Sequence, residues 1–461
     1  MKGRLSEFAL ALGARLIGDD AVFDGASIDT RRIARGALFF ALAGEHADGH
    51  DFVAAAGAAG AAAAVVDHAV AADVSQLVVD DVMDALGRAA RLARAGFAGP
   101  VVGVTGSNGK TTVKQMISAI FSVAGPVMAT DGNLNNHLGV PLTLMRLDAS
   151  AERAVIEMGA NHPGEIGQLA AVARPDVGVI TNAGWAHLEG FGSREGIARA
   201  KGELFIRLPE GGTAVINADD DYAGLWRELA EGRRIVTFSM DAGRAATVYA
   251  DDIELAGDGA RFTLHTPGAS TPITLALAGR HNVANALAAA AVAVAVGLDG
   301  ATIAAGLART AAVAGRLAIT PAAHGARLVD DSYNANPGSL AAALSWLGQQ
   351  RGARWAVLGD MGELGDFTES AHYDAGVAAR EAGIERLFAT GEHSRLTVSA
   401  FGEGAAWYPD HDSLNAALNG ALAAAGSDDV IVLVKGSRSA RMDRVAEALR
   451  ANGEPRVGAP C

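Results

Sequence analysis

The stretch GVTGSNGKTT, residues 103–112, lies between an apolar run, PVVGV at 100–104, and a helix-like run, VKQMISAIF at 113–121. The order is strand, glycine-rich turn, helix. A turn of this kind lets backbone N–H groups approach phosphate oxygens, and the helix N-terminus adds partial positive charge. The strict phosphate-loop pattern, G-x-x-x-x-G-K-[ST], asks for glycine where Val104 stands. Gly106 and Gly109 still supply the flexible backbone, and the G-K-T core is intact. A nucleotide site is therefore expected, with Lys110 reaching the β/γ-phosphates and the Thr111 hydroxyl on Mg²⁺.

Outward from this turn the chain separates into three regions. Residues 1–98 mix short strand-like runs (37–42, 63–66, 76–79) with Ala-rich helical runs. Residues 99–313 carry strands at 101–105, 154–158, 177–181 and 213–217 alternating with helices, and a helix at 282–296 closes the region. That alternation predicts a mainly parallel sheet covered by helices. Residues 314–461 repeat it with strands at 327–330, 355–358, 386–389 and 430–434. The fold class is α/β in three domains: a small mixed α/β N-terminal domain, a central P-loop domain, and a C-terminal doubly wound, Rossmann-like domain.

Bulk properties narrow the function. A chain of 461 residues is long enough for roughly two to four domains. The net charge of −14 argues against a general nucleic-acid binder. No uninterrupted apolar run reaches membrane-spanning length, and the opening MKGRLSEFALALG lacks a cleavage site, so neither membrane insertion nor a signal peptide is expected. The single cysteine, Cys461, excludes an intrachain disulfide and fits a reducing cytoplasm. An acidic chain still binds anions where backbone N–H groups, a few cations and a metal are concentrated.

Other candidates sit at strand ends. In RAVIEMGANHPGEI (153–166), Glu157 ends an apolar run and is placed to hold a metal beside the loop, or simply to lie at the surface. In VGVITNAGWAHLEGFGS (177–193), His187 follows a strand end as ligand or base, or as a solvated histidine. Lys201, in REGIARAKGELF (194–205), reads by default as a solvated lysine on an amphipathic face. His281 and Asn282 open a helix, where capping competes with recognition of a base. In GARLVDDSYNANPGSLAAAL (325–344), Asp330 and Asp331 are placed for a ribose hydroxyl or for shaping the turn.

Taken together, TGSNGKTT, NLNNHLGVPLTL, EMGANHPGEI, TNAGWAHLEGFGS, AKGELF, NADDD, GRHNVANALAAAA, DDSYNANPGS, VLGDMGELG and VKGSRSARMD resemble, in order, the blocks of the Mur ligase family. The likeness covers all three regions. DSYNANP is most similar to the branch that adds D-alanyl-D-alanine, and the D-N-P-R segment expected for a diamino-acid-adding relative is absent.

The resemblance implies site roles. Gly106, Ser107, Asn108, Gly109, Lys110, Thr111 and Thr112 would wrap the ATP phosphates. Thr111 and Glu157 would hold one Mg²⁺, and His187 with Glu157 a second. Lys201 would be carbamylated by CO₂ and help hold the second ion. Asn282 would read adenine, Arg316 would contact phosphate and Asp331 the ribose. In SIDTRRIARGALFFALAGEHADGH (27–50), Thr30, Arg31, Asp48, Gly49 and His50 match the UDP-recognising segment; many relatives carry Ser where Thr30 stands, and either supplies a hydroxyl. Asn135 and Asn136 would approach the UDP-sugar or its diphosphate.

The implied activity is ATP-dependent amide formation through an acyl phosphate, joining D-Ala-D-Ala to UDP-N-acetylmuramoyl-tripeptide in the cytoplasmic stage of peptidoglycan synthesis. Either diaminopimelate or lysine fits as third residue of the tripeptide, and His187 or a nearby carboxylate as acceptor of the amine's proton. A monomer is the expectation. Two like charges ~4 Å apart repel by about 4 kcal/mol at an effective dielectric of 20, so anionic substrates need local positive charge. Closure of the third domain is expected to exclude water from the acyl phosphate. A folate-polyglutamylating enzyme and a P-loop binding module are the competing readings; the first lacks a UDP-like segment, and the second needs no Glu157, His187 and Lys201 together.

Overall fold

The computed structural model describes residues 1–147, 150–426 and 429–450; Cys461 lies outside the described residues. The N-terminal region holds a five-stranded sheet of order Arg15–Ile17, Ser75–Val78, Ala63–Val66, Leu38–Phe40, Ala26–Ser27, parallel except at its first pairing. The run LFF is buried throughout because alternate side chains serve opposite faces. Leu38 and Phe40 join the helices Leu5–Leu12 and Val82–Ala95, and Phe39 joins Val53–Ala58. Met145 of the central region enters the first of these cores, so the two regions share packing.

The central sheet has nine strands in the order Ala269–Leu275, Gly259–Thr266, Val248–Ala256, Arg234–Ser239, Thr213–Asn217, Val177–Ile180, Val101–Thr105, Arg153–Glu157, Val127–Ala129. Val101–Thr105 is an interior strand and wholly buried, as expected of a parallel strand covered on both faces. One cover is Arg280–Ala295, predicted at 282–296, whose alanines are buried along nearly its whole length. Alanine favours helix and leaves room for close approach to Lys110–Ala124.

The sequence reading missed the two antiparallel pairings at the sheet's edge, among Val248–Ala256, Gly259–Thr266 and Ala269–Leu275. These strands expose one face, so they carry no continuous apolar run; a register shift between Asp251 and Glu254, with Asp252 at φ 49°, breaks their alternation further.

The C-terminal sheet runs Ala318–Pro321, Arg327–Asp331, Val430–Lys435, Ala353–Gly359, Arg386–Thr390, Ala405–Tyr408, and is parallel after its first, antiparallel pairing. The strands at both edges were missed; they are short and only partly buried. Helix Pro337–Gly348 starts on a capping box: the Asn336 side chain accepts from Ser339 N at 2.9 Å, and Pro337 stands in the first turn. Among the described residues, no helix is long and apolar enough to cross a membrane.

Candidate active site

A cavity of about 670 Å³ opens between the central and C-terminal regions. Its central wall is the loop after Val101–Thr105. Gly106 has φ 144°, and a Cβ there would collide with Thr181 Oγ1; Gly109 has φ 82°, and a Cβ there would collide with Asn285. Backbone conformation favours glycine at both positions, and the space a Cβ would take is filled by the Thr181 and Asn285 side chains. The loop is held from behind: Ser107 N donates to Asn182 O at 2.9 Å, and Thr181 Oγ1 to Asn108 O at 2.6 Å. Lys110 curls back, its Nζ donating to Gly106 O at 2.7 Å and Ser107 O at 3.2 Å. Burial lowers its pKa to about 8.

Glu157 ends its strand 2% exposed. Its Oε1 accepts from Asn135 Nδ2 at 2.8 Å and from Thr111 Oγ1 at 3.2 Å, which joins the predicted metal-holding hydroxyl and carboxylate. Its Oε2 lies 3.3 Å from Lys114 Nζ but makes no hydrogen bond of good geometry. His187 lines the same cavity, with φ 57°, and its Nδ1 lies 2.5 Å from Glu363 Oε2 of the C-terminal region. The His187 ring beside it holds the Glu363 carboxyl below its ordinary range, although Nδ1 makes no hydrogen bond of good geometry among the described residues.

Lys201 departs from the default reading as a solvated lysine. It is 1% exposed, and its Nζ has no hydrogen-bond partner among the described residues and stands 5.0 Å from the centre of the Phe191 ring. Helix Arg194–Ile206 turns this residue inward with Ile197, Ala198 and Leu204. Burial, and then the charge of Lys110, lower its pKa to about 7.

The opposite wall comes from the C-terminal region. Asn336 and Asn108 pair side chain to side chain, with Asn336 Nδ2 donating to Asn108 Oδ1 at 2.7 Å across the two regions. Arg316 stacks on Tyr333 with its guanidinium carbon 4.1 Å from the ring centre. Asp331 lines the cavity, tied by Oδ2 to Lys435 Nζ at 2.5 Å and by Oδ1 to Leu317 N at 3.1 Å. Asp330 points to the other face, where it accepts from Ser332 and Arg450.

Asn282 lines the cavity, yet its amide is engaged, donating to Ala278 O at 2.7 Å and accepting from Asn285 at 3.0 Å. Asn136 also lines the cavity, its Oδ1 accepting from Leu138 N and Gly139 N. Thr30, Arg31, Asp48, Gly49 and His50 do not line this cavity. Arg31 is paired with Asp29 at 2.8 Å in the turn that carries Thr30. Asp48 accepts from His50 N and Nδ1, while His50 Nε2 accepts from Asp67 N. Gly49 is packed against the backbone of Ala41 and Leu42.

Sequence reasoning missed Lys114, Glu363 and Lys435. Lys114 had a signal: it stands one turn after Lys110 within the stripe of Val113, Ile117 and Phe121 that the helix buries. Lys435 also had one, as the charged end of a wholly buried strand, VIVLVK. Glu363 lies within the block VLGDMGELG, but its pairing with His187 arises only through the docking of two regions.

Known proteins resemble this chain along nearly its whole length. The Mur ligase family, catalytic domain profile matches residues 22–94, the Mur ligase middle domain 104–293, and the Mur ligase, glutamate ligase domain 315–438. The chain is 44% identical to the UDP-N-acetylmuramoyl-tripeptide–D-alanyl-D-alanine ligase of Escherichia coli over 97% of this chain and 98% of that one. Its structure is similar to that of MurF from Acinetobacter baumannii, with a TM-score of 0.91, 35% identity and coverage of 97% and 98%. It is also similar to the MurF ligase from Thermotoga maritima in complex with ADP, with a TM-score of 0.80, 28% identity and coverage of 92% and 96%.

Proposed function

The chain belongs to the Mur ligase family, and from that premise we propose that it joins D-alanyl-D-alanine to UDP-N-acetylmuramoyl-tripeptide at the expense of ATP, in the cytoplasmic stage of peptidoglycan synthesis. One observation carries the reading: Lys110, Glu157 and His187 share a cavity whose far wall, with Arg316, Asp331 and Asn336, belongs to another region. A binding module needs the phosphate loop; a ligase also needs a second wall that brings an acceptor to the activated carboxyl.

The tripeptide's terminal carboxylate attacks the γ-phosphorus, giving an acyl phosphate and ADP. The dipeptide amine then attacks the acyl carbon and phosphate leaves. Lys110 and the backbone of 106–112 hold the phosphates, and release of Lys110 from its carbonyl contacts frees its charge for them. Residues 1–98 take the UDP-sugar peptide, 99–313 ATP and 314–461 the dipeptide; the described part of the last also shields the reacting groups from water. The enzyme acts as a monomer.

Thr111 and Glu157 fit one Mg²⁺, and Glu157 with His187 a second; when bound, the ions offset charge on the transferred phosphoryl group. The buried, unpartnered Lys201 amine fits the carbamate role. With its pKa near 7, much of the amine is neutral and able to add CO₂, releasing one proton and becoming an anion beside Lys110.

Phosphate release is the test, measured from Mg-ATP with UDP-N-acetylmuramoyl-tripeptide and D-Ala-D-Ala, omitting one component at a time. Release that needs both co-substrates, with a product heavier by one dipeptide less water, is the expected result. Release with ATP alone would overturn the assignment.

A further inference from the structure

The contact between Glu363 and His187 joins two strained residues from two regions. Both have positive φ, 60° for Glu363 and 57° for His187, a conformation that costs energy in residues other than glycine. The loop carrying Glu363 is pinned on either side by buried Met361 and Leu364. Met361 N donates to His372 Nε2 at 2.9 Å, and His372 Nδ1 lies 2.7 Å from Thr368 O, so this histidine clasps both ends of the loop. The loop also meets the backbone beside His187, where Glu189 N donates to Glu363 O at 3.2 Å. The carboxylate oxygen lies 2.5 Å from Nδ1, outside good hydrogen-bond geometry among the described residues, and Nε2 is the imidazole's other ligand atom. Metal-binding histidines are commonly fixed in tautomer and orientation by such a carboxylate.

We propose that Glu363 is a positioning residue: its carboxylate sets His187 as a metal ligand, and the metal site is completed only when the C-terminal region docks on the central one. The inference rests on the reading of His187 as a ligand. Because coupling is reciprocal, docking tightens the metal and the metal favours docking to the same degree. Thr111, Glu157 and Lys201 all come from the central region, so the C-terminal region acts on the metal site through the contact that orients His187.

The experiment uses the full chain with ADP and Mn²⁺ as the probe, reading bound Mn²⁺ by electron paramagnetic resonance and compaction by small-angle scattering. Glu363→Ala is expected to weaken Mn²⁺ binding by about tenfold or more and to abolish compaction on Mn²⁺ addition. Glu363→Gln keeps an acceptor for the imidazole N–H and is expected to bind closer to the parent than the alanine variant. The side chain is 53% exposed, so neither change opens a core. His187→Ala is the reference. If it weakens Mn²⁺ binding while Glu363→Ala does not, or if Glu363→Gln binds no better than Glu363→Ala, the positioning role is overturned. If His187→Ala itself binds Mn²⁺ like the parent, the ligand reading fails and the proposal falls with it.

Discussion

Lys114 and Glu157 form an ion pair of 3.3 Å sealed from solvent, with side chains 1% and 3% exposed. Lys114 Nζ also donates to Thr130 O at 2.8 Å, and Glu157 N donates to Thr130 Oγ1 at 3.0 Å. The phosphate-loop helix, the Glu157 carboxylate and the loop leading to Asn135 are thus locked together. Removing one partner of such a pair costs roughly 3–5 kcal/mol, whereas replacing both is far milder. Lys114→Met is expected to lower the thermal midpoint sharply, and Lys114→Met with Glu157→Gln to recover most of the loss. Equal midpoints for the single and double variants would show that the pair is not what the single change breaks.

Lys201 gives a pH dependence with a definite sign. Its folded pKa lies near 7 against an ordinary value of 10.5. Below about 7 both the folded and unfolded chains carry the proton, and the cost of burying the charge is present in full. Between about 7 and 10.5 the unfolded chain binds a proton that the folded chain has released, so stability rises with pH. In CO₂-free buffer, Lys201→Met should be stabilising relative to the parent at pH 6, with the gap narrowing by pH 9. A gap independent of pH would refute the depressed pKa.

The carbamate role is read by activity. Lys201→Ala is expected to lose ligase activity, and millimolar bicarbonate or a short-chain acid to restore part of it. An alanine variant with full activity would rule out the carbamate.

The two neighbouring aspartates should separate by kinetics. Asp331→Asn, in the cavity and tied to Lys435, is expected to raise KM for ATP by about tenfold, the loss of roughly one charge-assisted hydrogen bond. Asp330→Asn, paired with Arg450 on the other face, should lower stability and leave KM for ATP unchanged. The reverse pattern would place the nucleotide elsewhere.

Domain closure is testable by small-angle scattering. Adding an ATP analogue with the UDP substrate should compact the chain, because the Asn108–Asn336 pair and the Glu363–His187 contact both bridge the two walls. Identical scattering with and without ligands would argue against closure.

The sequence by itself determined the strand–loop–helix unit of 101–124, the alternation that makes the sheets mainly parallel, and the family. These follow from contiguous residues: glycines where φ is positive, a lysine at a helix start, apolar runs at strand spacing. It named Glu157 and His187 because a parallel strand's C-terminal end predicts a location. Tertiary structure alone decided which charges are buried. Lys201 reads as a solvated helical lysine until Phe191 covers it, and Lys114 is one more lysine until Glu157, from a neighbouring strand, approaches it. Strand position alone does not separate Asp330 from Asp331; the pleat sends one to Arg450 and the other to the cavity. The partners of Asn108 and His187 come from another region and are set by how two sheets dock. Local chemistry fixes backbone conformation, whereas burial and charge pairing depend on surfaces that meet only in the folded chain.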